Sequence, residues 1–356
     1  MEPSFYLIAT SHSLHLKNFK VMKVVKSILL VLLVIFVALL GFSLLAPKTY
    51  SIEESIKIGA PYALVVEQTT HWPNFQEWSP WSEMDPDMEL SYEGDFGKVG
   101  SRYTWKGNED AGSGSQEITA VSHDRVDIDL HFKEPFESLA KTYYLFNLEG
   151  DSMTVAWGMS GEMAWPWNVM THFLKGSITK DYQKGLQSLK ERCESIAADH
   201  VVDGFWIREI VLENRTYIGR KKLVKWAEMQ EFYSAVLGAA FQAILKSGIE
   251  PVGAPSGIYY EWDTVNMQAN MMAAIPCPVG TLISGFDSYS IGGKGYYINY
   301  YGQYEGLGNA HEAMEKYMIK NNISPNAVAI EEYVTDPETE EDPGHWLTKI
   351  MYIGLE

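Results

Sequence analysis

MTHFLKGSITKDYQKGLQSLKERC, residues 170–193, carries Met170, Leu174, Ile178, Tyr182, Leu186, Leu189 and Cys193 at intervals of three or four. That spacing is one apolar face of a long helix. Ahead of it, Ile52, Ser55, Ile56 and Ile58 open a strand-like pattern that runs at 117–121, 126–132, 141–148 and 153–159 continue. A helical stripe of this length has to be covered, and the nearest apolar surface is the sheet those runs would build. The expectation is an α+β domain over 50–195, a curved antiparallel sheet wrapped about a long C-terminal helix with a cavity between them.

Upstream, residues 27–46, SILLVLLVIFVALLGFSLLA, are uncharged and apolar. About 20 such residues, rising about 1.5 Å each, cover the roughly 30 Å hydrocarbon core of a bilayer. Lys17, Lys20, Lys23 and Lys26 precede the run, whereas Lys48 and Lys57 after it are diluted by Glu53 and Glu54. The positive-inside bias then places the N-terminus in the cytoplasm and the bulk of the chain outside it. A removed signal peptide is the alternative, but Pro47 directly after Ala46 disfavours cleavage there. A retained single-pass anchor in the cell membrane is expected, with residues 1–26 as a cytoplasmic leader. Met22-Lys23 reads as a natural start, which leaves 1–21 without expected structure.

The formal charge of −18, from 28 Lys and Arg against 46 Asp and Glu, argues against a nucleic-acid partner, because phosphate binding needs clustered cations. Cys193 and Cys277 fall in different halves of the chain and suit two buried thiols rather than a disulfide framework. His71, His123, His131, His172, His311 and His345 are scattered without ligand spacing, so neither metal nor cofactor is expected. Gly112-Ser-Gly-Ser115 and Gly292-Gly-Lys-Gly295 lack the spacing of a phosphate-binding loop, and no Gly-x-Ser-x-Gly elbow occurs. No catalytic residue is singled out.

A break at 196–204, IAADHVVDG, opens a second segment over 202–356. A strand at 206–218 leads to a helix at 224–246, with Trp226, Met229, Tyr233, Val236, Ala240, Ile244 and Leu245 on one face, and then to strands at 256–262 and 268–275. The order recurs as a strand at 294–301, a helix at 307–320 with Leu307, Ala310, Met314, Tyr317 and Met318 on one face, and strands at 327–334 and 346–353. Two strand-helix-strand-strand units in tandem imply a pseudo-symmetric α+β domain with a groove where they meet.

Both segments resemble known families. Ile58-Gly-Ala-Pro61, His71-Trp72, the WSPW at 78–81, Asp85-Pro86, Gly97 to Gly100, Trp105-Lys-Gly-Asn108, Thr154-Val-Ala-Trp157 and Gly185-Leu-x-x-Leu-Lys190 are similar to the polyketide cyclase and START-like branch of the SRPBCC superfamily. The resemblance implies a helix-grip fold, which hosts lipid carriers and cyclases alike. Trp72, Trp78, Trp81 and Trp105 are candidate walls of an apolar ligand cavity, or else fill an ordinary core.

Gly253-Ala-Pro-Ser-Gly-Ile-Tyr-Tyr260, Ile275-Pro276, Tyr300-Tyr-Gly-Gln-Tyr-Glu305 and Glu331-Glu-Tyr-Val-Thr-Asp-Pro337 resemble the GyrI-like effector-binding domain. In that family a carboxylate at the position of Glu331 lies at the base of an aromatic pocket and pairs with cationic, hydrophobic drugs. The resemblance implies this role for Glu331, with Tyr259, Tyr304 and Tyr333 as walls. The loop from Cys277 to Ser290 follows no family pattern, and no helix-turn-helix precedes the domain.

Alternation along a strand independently puts Glu331 and Tyr333 on one side and Glu332 on the other. A buried carboxylate is costly until a partner arrives; a half-exposed Glu331, or one bonded to backbone amides, is the other reading. The expected function is a membrane-anchored binding module for hydrophobic or cationic small molecules, rather than an enzyme. A hydrolase or cyclase acting in one of these pockets, and a gyrase-inhibitor-like protein-binding module, are the alternatives.

Overall fold

Helix α1, Tyr6–Leu45, contains a 22-residue stretch, Val24–Leu45, long and apolar enough to cross a membrane. A core helix of a globular domain buries one face, whereas only 6% of this stretch is buried. The helix reaches back to Tyr6, into a leader for which the sequence gives no structural signal. The computed structural model describes residues 6–134, 137–149, 152–324 and 327–354, without the side chains of 6–21, 23, 149, 152, 172 and 173. The first five residues of the leader, three of its lysine side chains and the His172 side chain lie outside that set.

The chain is α+β and divides into two compact units, Met1–Lys57 with Gln68–Asn147 and Thr154–Lys190, and Ile58–Glu67 with Leu148–Met153 and Glu191–Glu356. After α1 come β1 (Thr49–Ile58), α2 (Tyr62–Thr70), α3 (Trp72–Gln76), β2 (Glu89–Glu93), β3 (Arg102–Lys106), β4 (Ser113–Val121), β5 (Arg125–Glu134), β6 (Ser138–Glu149), β7 (Ser152–Glu162) and α4 (Thr171–His200). The strands form one seven-stranded sheet in the order β1-β7-β6-β5-β4-β3-β2. Its two faces follow from alternation: along β5, Val126, Ile128 and Leu130 are buried and Asp129 is exposed.

Tyr182, Leu186, Leu189 and Cys193 of α4 are buried, and the Tyr182 ring stacks on Trp157 of β7 with centroids 3.9 Å apart. The expected stripe therefore does meet the sheet, but it is buried only from Tyr182 onward, Leu174 and Ile178 being half-buried. Met170 belongs to a 3-10 turn, Trp167–Met170, ahead of the helix, and is 45% exposed.

Inside the expected break at 196–204, the helix runs on before the chain turns. Ile196, Ala197 and Ala198 continue α4, and the chain turns only at Asp203 and Gly204, both at positive φ. This Asp-Gly pair joins β8 (Val201–Val202) to β9 (Phe205–Trp206). An aspartate and a glycine tolerate that conformation, and alanines give no reason to stop a helix.

The second unit continues with β10 (Arg208–Lys225), α5 (Met229–Lys246), β11 (Ser256–Asp263), β12 (Gln268–Pro278), β13 (Asp287–Tyr301), α6 (Leu307–Lys320), β14 (Val328–Tyr333) and β15 (Leu347–Ile353). Six of these strands close into a barrel, β10-β12-β11-β14-β15-β13. Leu212, Tyr217, Ile258, Met272, Ile330 and Met351 pack together as one layer. A second layer joins Ile298 and Ile350 to Leu307, Ala310, Met314 and Tyr317 of α6, and a third joins Ile218 and Ile275 to Ala240 and Ile244 of α5.

The expected face of α6 is buried throughout, whereas α5 differs from its expected form. Val224 and Lys225 remain in β10, paired with Ala269 and Gln268, so the helix begins at Met229 and Trp226 lies in the turn before it. Leu245, one residue past the buried Ile244, turns away and is 46% exposed, as a rotation of about 100° per residue requires.

Candidate functional site

Ile330 faces the first of those layers, so its neighbour Glu331 projects from the other side of β14, where α5 and α6 also present side chains. Glu331 is 6% exposed. Its Oε2 accepts from Tyr259 Oη at 3.0 Å and Tyr333 Oη at 2.6 Å, and its Oε1 lies 2.9 Å from His311 Nε2. The other ring nitrogen of His311 is 2.9 Å from Tyr352 Oη. The Tyr233 hydroxyl is 2.9 Å from Tyr259 Oη and 3.0 Å from Tyr333 Oη. Since those two hydroxyls give their protons to the carboxylate, Tyr233 donates its own to one of them.

The register explains how three tyrosines fit round one carboxylate. Glu331 pairs with Gly257 of β11 and Ile350 of β15, and a Cβ at Gly257 would collide with the Tyr233 hydroxyl and come within 3.2 Å of that of Tyr333. The missing side chain at 257 is the space into which α5 lowers Tyr233. Burial, reinforced by the Glu331 charge, holds Tyr259, Tyr333 and Tyr233 above the ordinary tyrosine range. They therefore serve as proton donors and the carboxylate as acceptor.

Rings extend outward from this base on both sides. Tyr259 meets Trp262 edge-on at 5.3 Å, and Trp262 stacks on Trp226 at 5.3 Å. Tyr333 meets Tyr304 at 5.5 Å, and Tyr304 meets Trp346 at 5.5 Å. Trp262 is 51% and Tyr304 38% exposed. The four residues singled out from the sequence thus lie together: Glu331, Tyr259 and Tyr333 by hydrogen bonds, Tyr304 by ring contact.

Glu332 turns to the opposite side, where it accepts from Ala254 N at 3.1 Å and lies 3.6 Å from Arg215 Nη1. Glu331 is neither half-exposed nor tied to backbone amides. The sequence reading missed His311, which adjoins the apolar stripe one residue after Ala310. That adjacency was the available signal.

In the first unit the four tryptophans separate. Trp72 and Trp78 are core, fully buried or nearly so, and Trp78 Nε1 donates to Gln68 O at 2.8 Å. Trp81 and Trp105 line a cavity of about 60 Å³ together with Tyr103, Phe132, Trp157 and Tyr182. A drug-sized ligand needs roughly 300 Å³ or more, and this space admits only a few waters.

Among the described residues, no group of three or more His, Cys, Asp or Glu is placed to hold a metal ion. Both cysteines are buried and free. Burial pushes the Cys193 thiol up to about 12, the opposite of what a nucleophile needs.

No family model matches the chain, and no curated protein matches it. Solved structures similar to parts of it include Ara h 8.0201, at 12% identity over 41% of this chain and 99% of that one with a TM-score of 0.32. The protein TTHA0849 from Thermus thermophilus is 14% identical over 41% of this chain and 98% of that one, TM-score 0.32. EcmrR in a complex with DNA is 10% identical over 55% and 86%, TM-score 0.38. Likeness at this level leaves function to be argued from the residues themselves.

Proposed function

We propose that the protein is a membrane-anchored receptor for small amphipathic or cationic molecules, which bind over Glu331 in a GyrI-like domain spanning 202–356. One observation carries the reading: a carboxylate 6% exposed, gripped by two tyrosine hydroxyls, lies beneath rings that remain half open to solvent. A cation brought to that carboxylate gains a charge-assisted contact, and its apolar body covers Trp262 and Tyr304.

The order of elements supports the domain. β10-α5-β11-β12 is followed by β13-α6-β14-β15, and exchanging β10 with β13, β11 with β14 and β12 with β15 leaves the barrel order unchanged. Glu331 sits on one of the two strands, β11 and β14, that meet where the repeats join.

In this proposal α1 is the retained anchor, with its N-terminus cytoplasmic and 48–356 extracytoplasmic, and 50–195 is a helix-grip domain of the SRPBCC type. The cavity beside Trp81 and Trp105 is too small for a drug-sized ligand, and the ligand is assigned to the second domain. The His311–Glu331 pair also favours a second reading, a hydrolase in which those groups move a proton to or from a bound substrate.

Native mass spectrometry of fragment 48–356, purified from its own host, separates the two. A retained intact small molecule supports binding, and conversion of a captured compound on incubation supports hydrolysis. For topology, alkaline phosphatase fused after Glu356 should be active in a bacterial host and stay in the membrane after a carbonate wash. An inactive fusion would overturn the orientation.

A further inference from the structure

The chain leaving α1 is held against the first unit from its last turn onward. Asn168 is fully buried, and its side-chain amide donates to Ser43 O at 2.7 Å and Ala46 O at 2.8 Å. Met163 N donates to Lys48 O at 2.7 Å. The carbonyls that end a helix lack intrahelical partners; here Asn168 supplies one to Ser43 in the last turn, and the segment 163–168 also holds the carbonyls of Ala46 and Lys48 just beyond it. The end of the apolar helix and this segment therefore sit at one level.

That segment is apolar and open. Trp165 is 49%, Trp167 65% and Met170 45% exposed, all within three residues of Asn168. Leu44 and Leu45, where the helix ends, are 73% and 86% exposed. Exposed indoles beside water are unfavourable for a soluble surface, but tryptophan concentrates at the boundary between hydrocarbon and headgroups, where its ring is buried and its N–H stays wet. Resting on the reading of α1 as a membrane anchor, we propose that Trp165, Trp167 and Met170 insert into the interface of the same bilayer on the extracytoplasmic side. They form a second lipid contact that fixes the attitude of the first unit to the membrane. The occupant is the bilayer because the clamp through Asn168 leaves these side chains no distance from the point where α1 emerges.

The test uses the full chain in phosphatidylcholine vesicles, with an environment-sensitive fluorophore on single introduced thiols; Cys193 and Cys277 are buried and label poorly. Trp167→Cys probes the contact, with Met170→Cys as a second probe should the first misfold. Leu33→Cys lies within the apolar helix. Val121→Cys lies in the β4–β5 hairpin, at the other end of the sheet from Thr49.

Label at 167 or 170 should lose most of its emission to a lipid carrying a spin label high on its acyl chain and little to aqueous iodide. Label at 121 should show the reverse. Iodide quenching at 167 and 170 with lipid quenching at 33 would overturn the docking contact and leave the anchor standing. Iodide quenching at 33 would remove both, and protection from both quenchers at 167 and 170 would indicate burial against a second copy and also overturn the proposal.

Discussion

His311 Nε2 approaches Glu331 at Oε1, 2.9 Å away, while both tyrosine donors use Oε2. The two carboxylate oxygens are thus held by different elements, one by α6 and the other by β11 and β14. Oε1 is where a ligand cation would compete with a protein donor.

His311→Ala should have two opposite effects. Leaving Oε1 without its donor is expected to lower unfolding stability by about 1–3 kcal/mol, and the same vacancy should raise affinity for cationic ligands. Urea denaturation and fluorescence titration of the variant measure both. A variant as stable as wild type that binds cations no better would show that the pair matters little.

Alkaline pH should weaken the second unit. Tyr259, Tyr333 and Tyr233 are raised by burial and by Glu331, so the unfolded chain releases their protons near pH 10 while the folded chain keeps them. Above that pH the folded state binds more protons, and stability falls as pH rises. The contribution is complete below about pH 10 and disappears as pH climbs through the folded values. Tyr333→Phe should make the decline shallower in urea titrations between about pH 8 and 11. An identical slope would contradict the assignment.

Gly257→Ala places a methyl group where Tyr233 reaches the cluster. Overpacking of this kind costs about 1–3 kcal/mol, and Tyr233 should leave its two tyrosine partners. A folded variant with reduced ligand affinity is expected. Unchanged affinity would place the binding surface elsewhere.

Trp157→Ala should destabilise the first unit by about 3–5 kcal/mol, the cost of emptying a large buried ring site, because its ring stacks on Tyr182 and touches Tyr144 and Trp78. Trp81→Ala, at a partly exposed cavity wall, should cost less and admit an apolar dye that wild type excludes. Calorimetric melting and dye fluorescence report the two. Equal losses would contradict the division of the tryptophans into core and wall.

What could be read from the sequence was periodicity. The α6 face from Leu307 to Met318 and the alternation that sends Glu331 and Glu332 to opposite sides were legible because burial repeats with the backbone. β2 was missed although Leu90 and Tyr92 alternate with Glu89, Ser91 and Glu93, because the strand is only five residues long and every one of them is exposed. The extension of β10 to Lys225 was hidden because Val224 and Trp226 fit a helical face as well as a strand until Ala269 and Gln268 claim that end of it. Residue type alone could not separate Trp72 and Trp78 from Trp81 and Trp105. Nor could it bring His311 to Glu331, a contact across 20 positions of chain that only the docking of α6 creates.

The most direct test of the central claim compares wild type with Glu331→Gln in fragment 48–356, by calorimetry against aromatic dyes matched in shape and differing in charge. The amide keeps the shape of the carboxylate and removes its charge. Cationic dyes should lose about 1.5–3 kcal/mol, roughly a ten- to hundredfold weakening, while neutral dyes bind the two proteins alike. Equal affinities of both proteins for every cation that binds would contradict the account.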